Sequence, residues 1–370
     1  MKKTRPYMDR LKRLRSAMRK ARLSALWITC PENRHYLSGY TASDPQLNES
    51  SGSLLITLRN QYLLTDSRYE IQATREAKDY QIIRYQSDVI GTLGSLIRKS
   101  RTARLGFEGD RVTVTVYNKM AELLKGVETI SVTGMVESLR LIKDLTEIRK
   151  MVRALRITET ALEKTVQFMK PGLTEKEVAH NLEENMTALG AEGLAFETIV
   201  ASGPNAALPH AVPSNRRIRE SETIVIDCGA TYSGYRADLT RTILLGTPKR
   251  WIKEIYQIVQ KAQQNALKTI RPGITSAQAD TSARKVIEEA GYGSNFGHAL
   301  GHGVGLATHE APSLSQTRPV ELKEGMVVTV EPGIYIAGRG GVRLEEMVLL
   351  KKNGCKLLNK NRTFYHFASL

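Results

Sequence analysis

Two pairs of carboxylates and one glycine-flanked histidine have the residue types and spacing of a metal centre. The pairs are Asp227 with Asp238 and Glu331 with Glu345, and the histidine is His302 in the run Gly301-His302-Gly303. Carboxylate oxygens are hard ligands and imidazole a borderline one, so these five converging on one spot would hold two divalent cations. Such a pair of ions polarises a carbonyl and activates water, which is the chemistry of a metallohydrolase.

The elements that would position the four acids read as hairpins. Glu222–Leu245 is β-branched at both ends with turn residues at Ser233-Gly234. Asp227 and Asp238 are equidistant from position 232.5, so folding back there would set them opposite one another on one sheet face. Directly opposed like charges destabilise a sheet unless a cation lies between them. The second segment runs from Met326 to Ile336, through the turn Gly338-Arg339-Gly340-Gly341, and back from Val342 to Leu350, with Glu331 and Glu345 mirrored about residue 338. Taken singly, each acid also reads as a solvated strand carboxylate. Asp227, however, follows Ile224-Val225-Ile226, and Glu331 follows Val327-Val328-Thr329-Val330, runs expected to be buried on both faces. A buried carboxylate needs a partner or a metal.

An internal duplication supports this placement. Lys170-Pro-Gly-Leu-Thr174 and Arg271-Pro-Gly-Ile-Thr275 each follow a long helical pattern and open another helix with a capping box, Thr174 with Glu177 and Thr275 with Gln278. Asp227 lies 56 positions after Pro171 and Glu331 lies 59 after Pro272; His210 and His309 follow the same prolines by 39 and 37. Two half-domains of like order would face each other about a pseudo-twofold axis, with the metal site between them.

At these residues the chain resembles the pita-bread metallopeptidases, the group of methionine aminopeptidase, aminopeptidase P and prolidase. The stretches that carry the resemblance are Ser202–His210, Asp227-Cys-Gly, Tyr235–Thr242, Gly301–Glu310, Val330–Tyr335 and Gly341–Glu345. Near the start, Arg34–Tyr40 and Thr65–Tyr69 resemble the accessory domain of the proline-directed branch, which methionine aminopeptidases normally lack. The resemblance implies an α/β N-terminal domain with a mixed sheet and an α+β pita-bread catalytic domain with internal pseudo-twofold symmetry. It implies that Asp227 and Glu331 each serve one metal ion, that Asp238 and Glu345 bridge both, and that His302 completes one coordination sphere. It also implies active-site roles for His210, His309 and Arg343, and a homodimer. Ala299 stands where glycine is usual and Thr308 where a branched apolar residue is common, departures that bear on substrate fit rather than on the ligands.

The expected chemistry follows. Two cations roughly 3.5–4 Å apart share a water and lower its pKa from 15.7 toward about 7. Glu331 would take the proton of this nucleophile and pass it toward the leaving nitrogen, while His309 and His210 would hydrogen-bond the carbonyl oxygen and the developing oxyanion. Arg343, two residues before Glu345, would either move protons and hold substrate or form a structural ion pair with a ligating carboxylate. His298, four residues before His302, reads as a supporting residue, and no function is assigned to His35, His180 or His366. Mn²⁺ is the first metal expected, with Co²⁺, Fe²⁺ or Zn²⁺ as alternatives.

The rest of the chain bounds these readings. Its 370 residues suggest two domains, 1–140 and 141–370, with the boundary set by the capping box Asp144…Glu147 that opens a long helix to about Met169. The first part alternates helix and strand: a helix to about Arg22, strands near Ala25–Thr29, Ser53–Thr57, Tyr62–Thr65, Gln81–Arg84 and Ala103–Phe107, and helices from Ser67, around Val89–Lys99 and after Val112. Cys30, Cys228 and Cys355 are far apart with no CxxC spacing, which argues for a reducing compartment and against a thiolate centre. No apolar run is long enough to span a bilayer, and a cytoplasmic protein is expected. The formal charge of +16 raises nucleic acid as a partner. Ten Lys or Arg crowd the first 22 residues, but Met8, Leu11, Leu14, Met18 and Ala21 recur among them at helical spacing, the pattern of a surface helix packed on its own domain. No specific nucleic-acid or membrane partner is therefore expected, and the expected ligand is a small proline-containing peptide. The leading expectation is hydrolysis of the bond before proline by an Xaa-Pro dipeptidase or aminopeptidase. A metal-independent creatinase-like amidinohydrolase and a non-catalytic peptidase-like binding module are the alternatives; both predict lost ligands, and all five are present.

Overall fold

The computed structural model describes residues 6–44, 46 and 49–360; Lys2, Lys3, Arg5 and His366 lie outside the described residues. The chain divides into two compact units, Met1–Arg140 and Leu141–Leu370. Among the described residues no helix is long and apolar enough to cross a membrane.

In the first unit a six-stranded sheet runs in the order Gln81–Arg84, Gln61–Thr65, Ser53–Thr57, Ala25–Ile28, Arg104–Glu108, Glu128–Val132. Ser53–Thr57 pairs antiparallel with both neighbours and every other pairing is parallel, so the sheet is mixed as the alternating pattern predicts. Its strands carry continuous apolar runs because helices cover the sheet, and Trp27, Leu55, Leu64, Leu93, Ile97 and Leu105 meet in one core. The basic helix is Pro6–Lys20, with Leu11, Leu14 and Met18 fully buried. Ala21, expected on the same stripe, is exposed: the helix ends one residue earlier and the chain turns at Arg22, where φ is +56°. Sequence periodicity does not mark the short helix Pro31–Ser38, which is set instead by a proline in its first turn and a left-handed Gly39 at its end.

The second unit carries the duplication. Helices Leu145–Phe168 and Glu175–Ala188 in the first half correspond to Arg250–Thr269 and Ser276–Glu289 in the second. Both Thr174 and Thr275 form reciprocal capping boxes. The backbone bonds after each Pro-Gly turn also repeat: Gly172 N–H donates to Ile218 and Gly273 N–H to Leu322, while Ile218 donates to Leu173 and Leu322 to Ile274. In the sheets Asp227 lies opposite Ile199, and Glu331 donates its N–H to Leu300. Each half thus brings its acid to the same rung.

The hairpins place the acids differently from one another. Gly333–Ile336 pairs with Gly340–Arg343, and Val330 with Glu346, all in the register mirrored about 338, so Glu331 and Glu345 fall at mirrored positions in the interruption between the two ladders, where they are not themselves paired. The first hairpin corrects the expectation, because Asp227 is opposite Thr240 and not Asp238. Ser233 and Gly234 both have positive φ and form a two-residue turn, which centres the register one residue later than position 232.5. Asp238 stays on the Asp227 side because a two-residue offset preserves the face of a strand.

Candidate metal and active site

Asp227, Asp238, Glu331 and His302 line one cavity, and Glu345 is buried beside Asp227 and Asp238. One ligand oxygen from each of Asp227, Asp238 and Glu345 lies within 4.8 Å of the other two. His302 Nε2 is 3.2 Å from Glu331 Oε1 and 3.6 Å from Asp238 Oδ2. Asp238 and Glu345 are buried, while Asp227, Glu331 and His302 keep side-chain exposures of 14–16% toward the cavity.

The support of these groups comes from side chains on neighbouring rungs. Thr240 donates its hydroxyl to Glu345 Oε2 at 2.9 Å, and Thr329 donates to Glu331 Oε1 at 3.1 Å while accepting the His302 N–H. Between Val330 and Leu344 the strand ladder is interrupted, and the buried amide of Gln263 donates to both of those carbonyls. Arg343 lies 2.7 Å from Asp227 Oδ2 and also donates to Thr240 Oγ1, the Tyr335 hydroxyl and the Pro209 carbonyl. Arg343 thus forms the ion pair with Asp227 and also lines the cavity, so its contacts accommodate both readings open for it. Tyr335 connects onward to His298 Nε2 at 2.9 Å, which places His298 behind Arg343 rather than in the cluster. Sequence reasoning missed Thr240, Thr329, Tyr335 and Gln263 as supporting residues. Thr240 was findable, since it lies two residues from Asp238 and so on its face; Gln263, on a distant helix, left no such signal.

Electrostatics shows what the cluster lacks. Burial raises Asp238 and Glu345 well above the ordinary carboxylate range, and the neighbouring acids push them further; burial also raises Asp227, against the pull of Arg343. Burial would raise Glu331 too, but the hydrogen bond and charge of His302 outweigh it, and its carboxyl lies below the usual range. For His302 burial works downward and Glu331 more than reverses it. Asp227 Oδ1 and Glu345 Oε1 are buried with no hydrogen-bond donor among the described residues. His302 Nδ1 is 3.0 Å from the Gly303 carbonyl and Nε2 faces two carboxylates, so without an ion the ring favours a proton on both nitrogens, and a cation could take the place of the proton on Nε2. Acceptors facing acceptors in a buried site require protons or cations between them. A donor set of four carboxylates and one imidazole fits hard-to-borderline divalent ions.

The cavity measures about 790 Å³, and its lining includes Phe196, Ile199, Pro209 and Val212 together with His210, His298, His302 and His309. His210 and His309 are both exposed to it, and the His309 ring lies 4.3 Å from the His302 ring, centroid to centroid. Burial and the nearby His302 hold His309 below its ordinary pKa, so at neutral pH it is an uncharged donor. His180 lies away from this site, exposed and paired with Glu184.

Facing half-domains with an acidic floor between them define the pita-bread class of hydrolase folds. A model of metallopeptidase family M24 matches residues 149–352, and one of the creatinase/prolidase N-terminal domain matches residues 10–142. The chain belongs to metallopeptidase family M24 and is a peptidase. It is 38% identical to the uncharacterized peptidase YqhT of Bacillus subtilis, over 96% of this chain and 98% of that one. Among solved structures it is similar to an Xaa-Pro dipeptidase from Bacillus anthracis, with TM-score 0.91, 39% identity and coverage of 96% and 98%. It is also similar to an X-Pro aminopeptidase from Thermotoga maritima, with TM-score 0.85, 38% identity and coverage of 94% and 98%.

Proposed function

We propose that the protein hydrolyses the peptide bond preceding proline, in dipeptides or at peptide N-termini, using two divalent cations held by Asp227, Asp238, His302, Glu331 and Glu345. The observation that carries this reading is the buried cluster itself, in which two carboxylate oxygens have no donor and an imidazole nitrogen lies 3.2 Å from a third acid. The similarity to proteins named for Xaa-Pro cleavage supports the substrate class. Bound there, the ions supply Lewis acidity to the scissile carbonyl and acidity to a nucleophilic water.

The residues of the chain do the rest. Arg343 holds Asp227, and Thr240 holds Glu345, so each acid keeps its orientation through the reaction. Glu331 lines the cavity and keeps part of its carboxylate open to it, which places it to accept a proton at a carboxylate oxygen and return it to the leaving nitrogen. A bond to proline is a tertiary amide with no N–H, so its cleavage depends on activation at the carbonyl and protonation at nitrogen. His309 and His210, facing the cavity, donate ring N–H groups to the carbonyl oxygen and to the oxyanion that replaces it. Manganese is the first ion to test.

The test is hydrolysis of Xaa-Pro, Xaa-Pro-Yaa and Xaa-Ala substrates after chelation and reloading with single metals. Proline substrates should be cleaved only by the reloaded protein. Exclusive cleavage of Xaa-Ala would remove the proline assignment, and full activity after chelation would remove the metals.

A further inference from the structure

Behind the acidic floor lies an ion pair that takes no part in the chemistry described so far. Arg241 and Glu346 have side-chain exposures of 2% and 0%, with Nη2 and Oε1 3.1 Å apart. Strand alternation turns Arg241 away from Thr240 and Thr242, so it sits on the reverse face of the strand that follows Asp238. Glu346 begins the strand that follows Glu345. The pair therefore joins two different sheets at the point where each delivers one of the two most deeply buried acids of the cluster.

The guanidinium reaches further than its partner. Arg241 Nη1 donates to the backbone carbonyls of Thr240 and Glu345, and Glu345 N–H donates back to the Thr240 carbonyl at 3.1 Å. One planar fork thus ties the peptide units next to Asp238 and Glu345 together, independently of their side chains. A buried ion pair is a poor device for stability alone, since apolar replacements of similar volume are often neutral or better. Its charges cancel, so it adds no net field to a cluster whose acids repel one another and would spread the two strands. A neutral pair with directional donors suits a site where spacing matters more than folding energy.

We propose that Arg241 and Glu346 are positioning residues that set the separation of Asp238 and Glu345, and so the capacity of the site to take up two divalent ions together. This rests on the two-ion reading above. The double variant Arg241→Met/Glu346→Leu removes both charges and leaves neither unpaired. Its metal-free melting temperature should stay near that of the parent, while Mn²⁺ affinity measured by calorimetry should fall by about 10–100-fold, the usual cost of disturbing a ligand's support. Arg241→Lys keeps the charge but lacks the fork, and should also bind Mn²⁺ about tenfold more weakly. Should the double variant fail to fold, the lysine variant decides. Parent-like Mn²⁺ affinity in either folded variant would overturn the positioning role, as would an affinity loss matched by an equal loss of metal-free stability. A parent protein that takes up no Mn²⁺ would instead overturn the two-ion reading, and this proposal with it.

Discussion

The two acid-bearing hairpins descend from the same half-domain plan and differ at their turns. In the second, the turn at Gly338 keeps mirror register and puts Glu331 and Glu345 at mirrored positions between two ladders. In the first, the Ser233-Gly234 turn moves the register so that Asp227 faces Thr240, and Asp238 comes two residues earlier. One hairpin contributes two acids at mirrored positions, the other an acid opposite a hydroxyl. That hydroxyl is the group that donates to Glu345 and accepts from Arg343, so the asymmetry supplies the donor that a cluster built only of carboxylates would lack.

The sharpest way to break the comparison is to remove one acid from each hairpin. Asp238→Asn and Glu345→Gln should each reduce turnover to background with the fold intact by circular dichroism. A near-normal rate in either would mean that the two hairpins do not share the ions. Thr240→Val removes the hydroxyl alone, and its effect should be intermediate: metal affinity falls by about 10–100-fold, the cost of losing a ligand's support. A calorimetric titration indistinguishable from the parent would make Thr240 incidental.

Protonation gives a third, smaller effect. Asp238 and Glu345 have folded-state pKa values raised above those of the unfolded chain, so between the two values the folded state binds more protons. The contribution of these two acids to the stability of the metal-free protein should therefore be fully present below the ordinary carboxylate range and be lost as pH rises through it toward neutrality. Added Mn²⁺ should reverse the decline, and Asp238→Asn should flatten it. A metal-free melting temperature that climbs over that interval in the parent and is unmoved by Asp238→Asn would contradict this electrostatic picture. The smallest effect belongs to the turns. Gly234→Ala and Gly338→Ala place a side chain at φ of 76° and 72°, at a cost of about 1 kcal/mol each. Melting should drop by about 2–4 °C for each variant. Unequal drops measured by calorimetry would show that one turn governs its register more than the other.

Much of this was legible in the residue order because the signals are local. The capping boxes, the Pro-Gly turns and the β-branched runs fix elements within a few residues, and the duplication then aligns Asp227 with Glu331. The register of the first hairpin was not legible from symmetry of the acids, since turn chemistry at Ser233-Gly234 decides it. Gln263 and the contacts of Arg343 with Pro209 and Tyr335 join residues far apart in the chain, and no periodicity reports such contacts. In the N-terminal unit the alternating pattern predicted the mixed sheet, while Pro31–Ser38 was missed because a helix of 8 residues carries too few positions for a period to emerge.

The most direct measurement is the metal content and position in crystals of the protein reloaded with Mn²⁺. Anomalous scattering should place two ions per chain among Asp227, Asp238, His302, Glu331 and Glu345, and elemental analysis should return two equivalents. A site that remains without ions under saturating Mn²⁺, or ions bound elsewhere, would contradict the account.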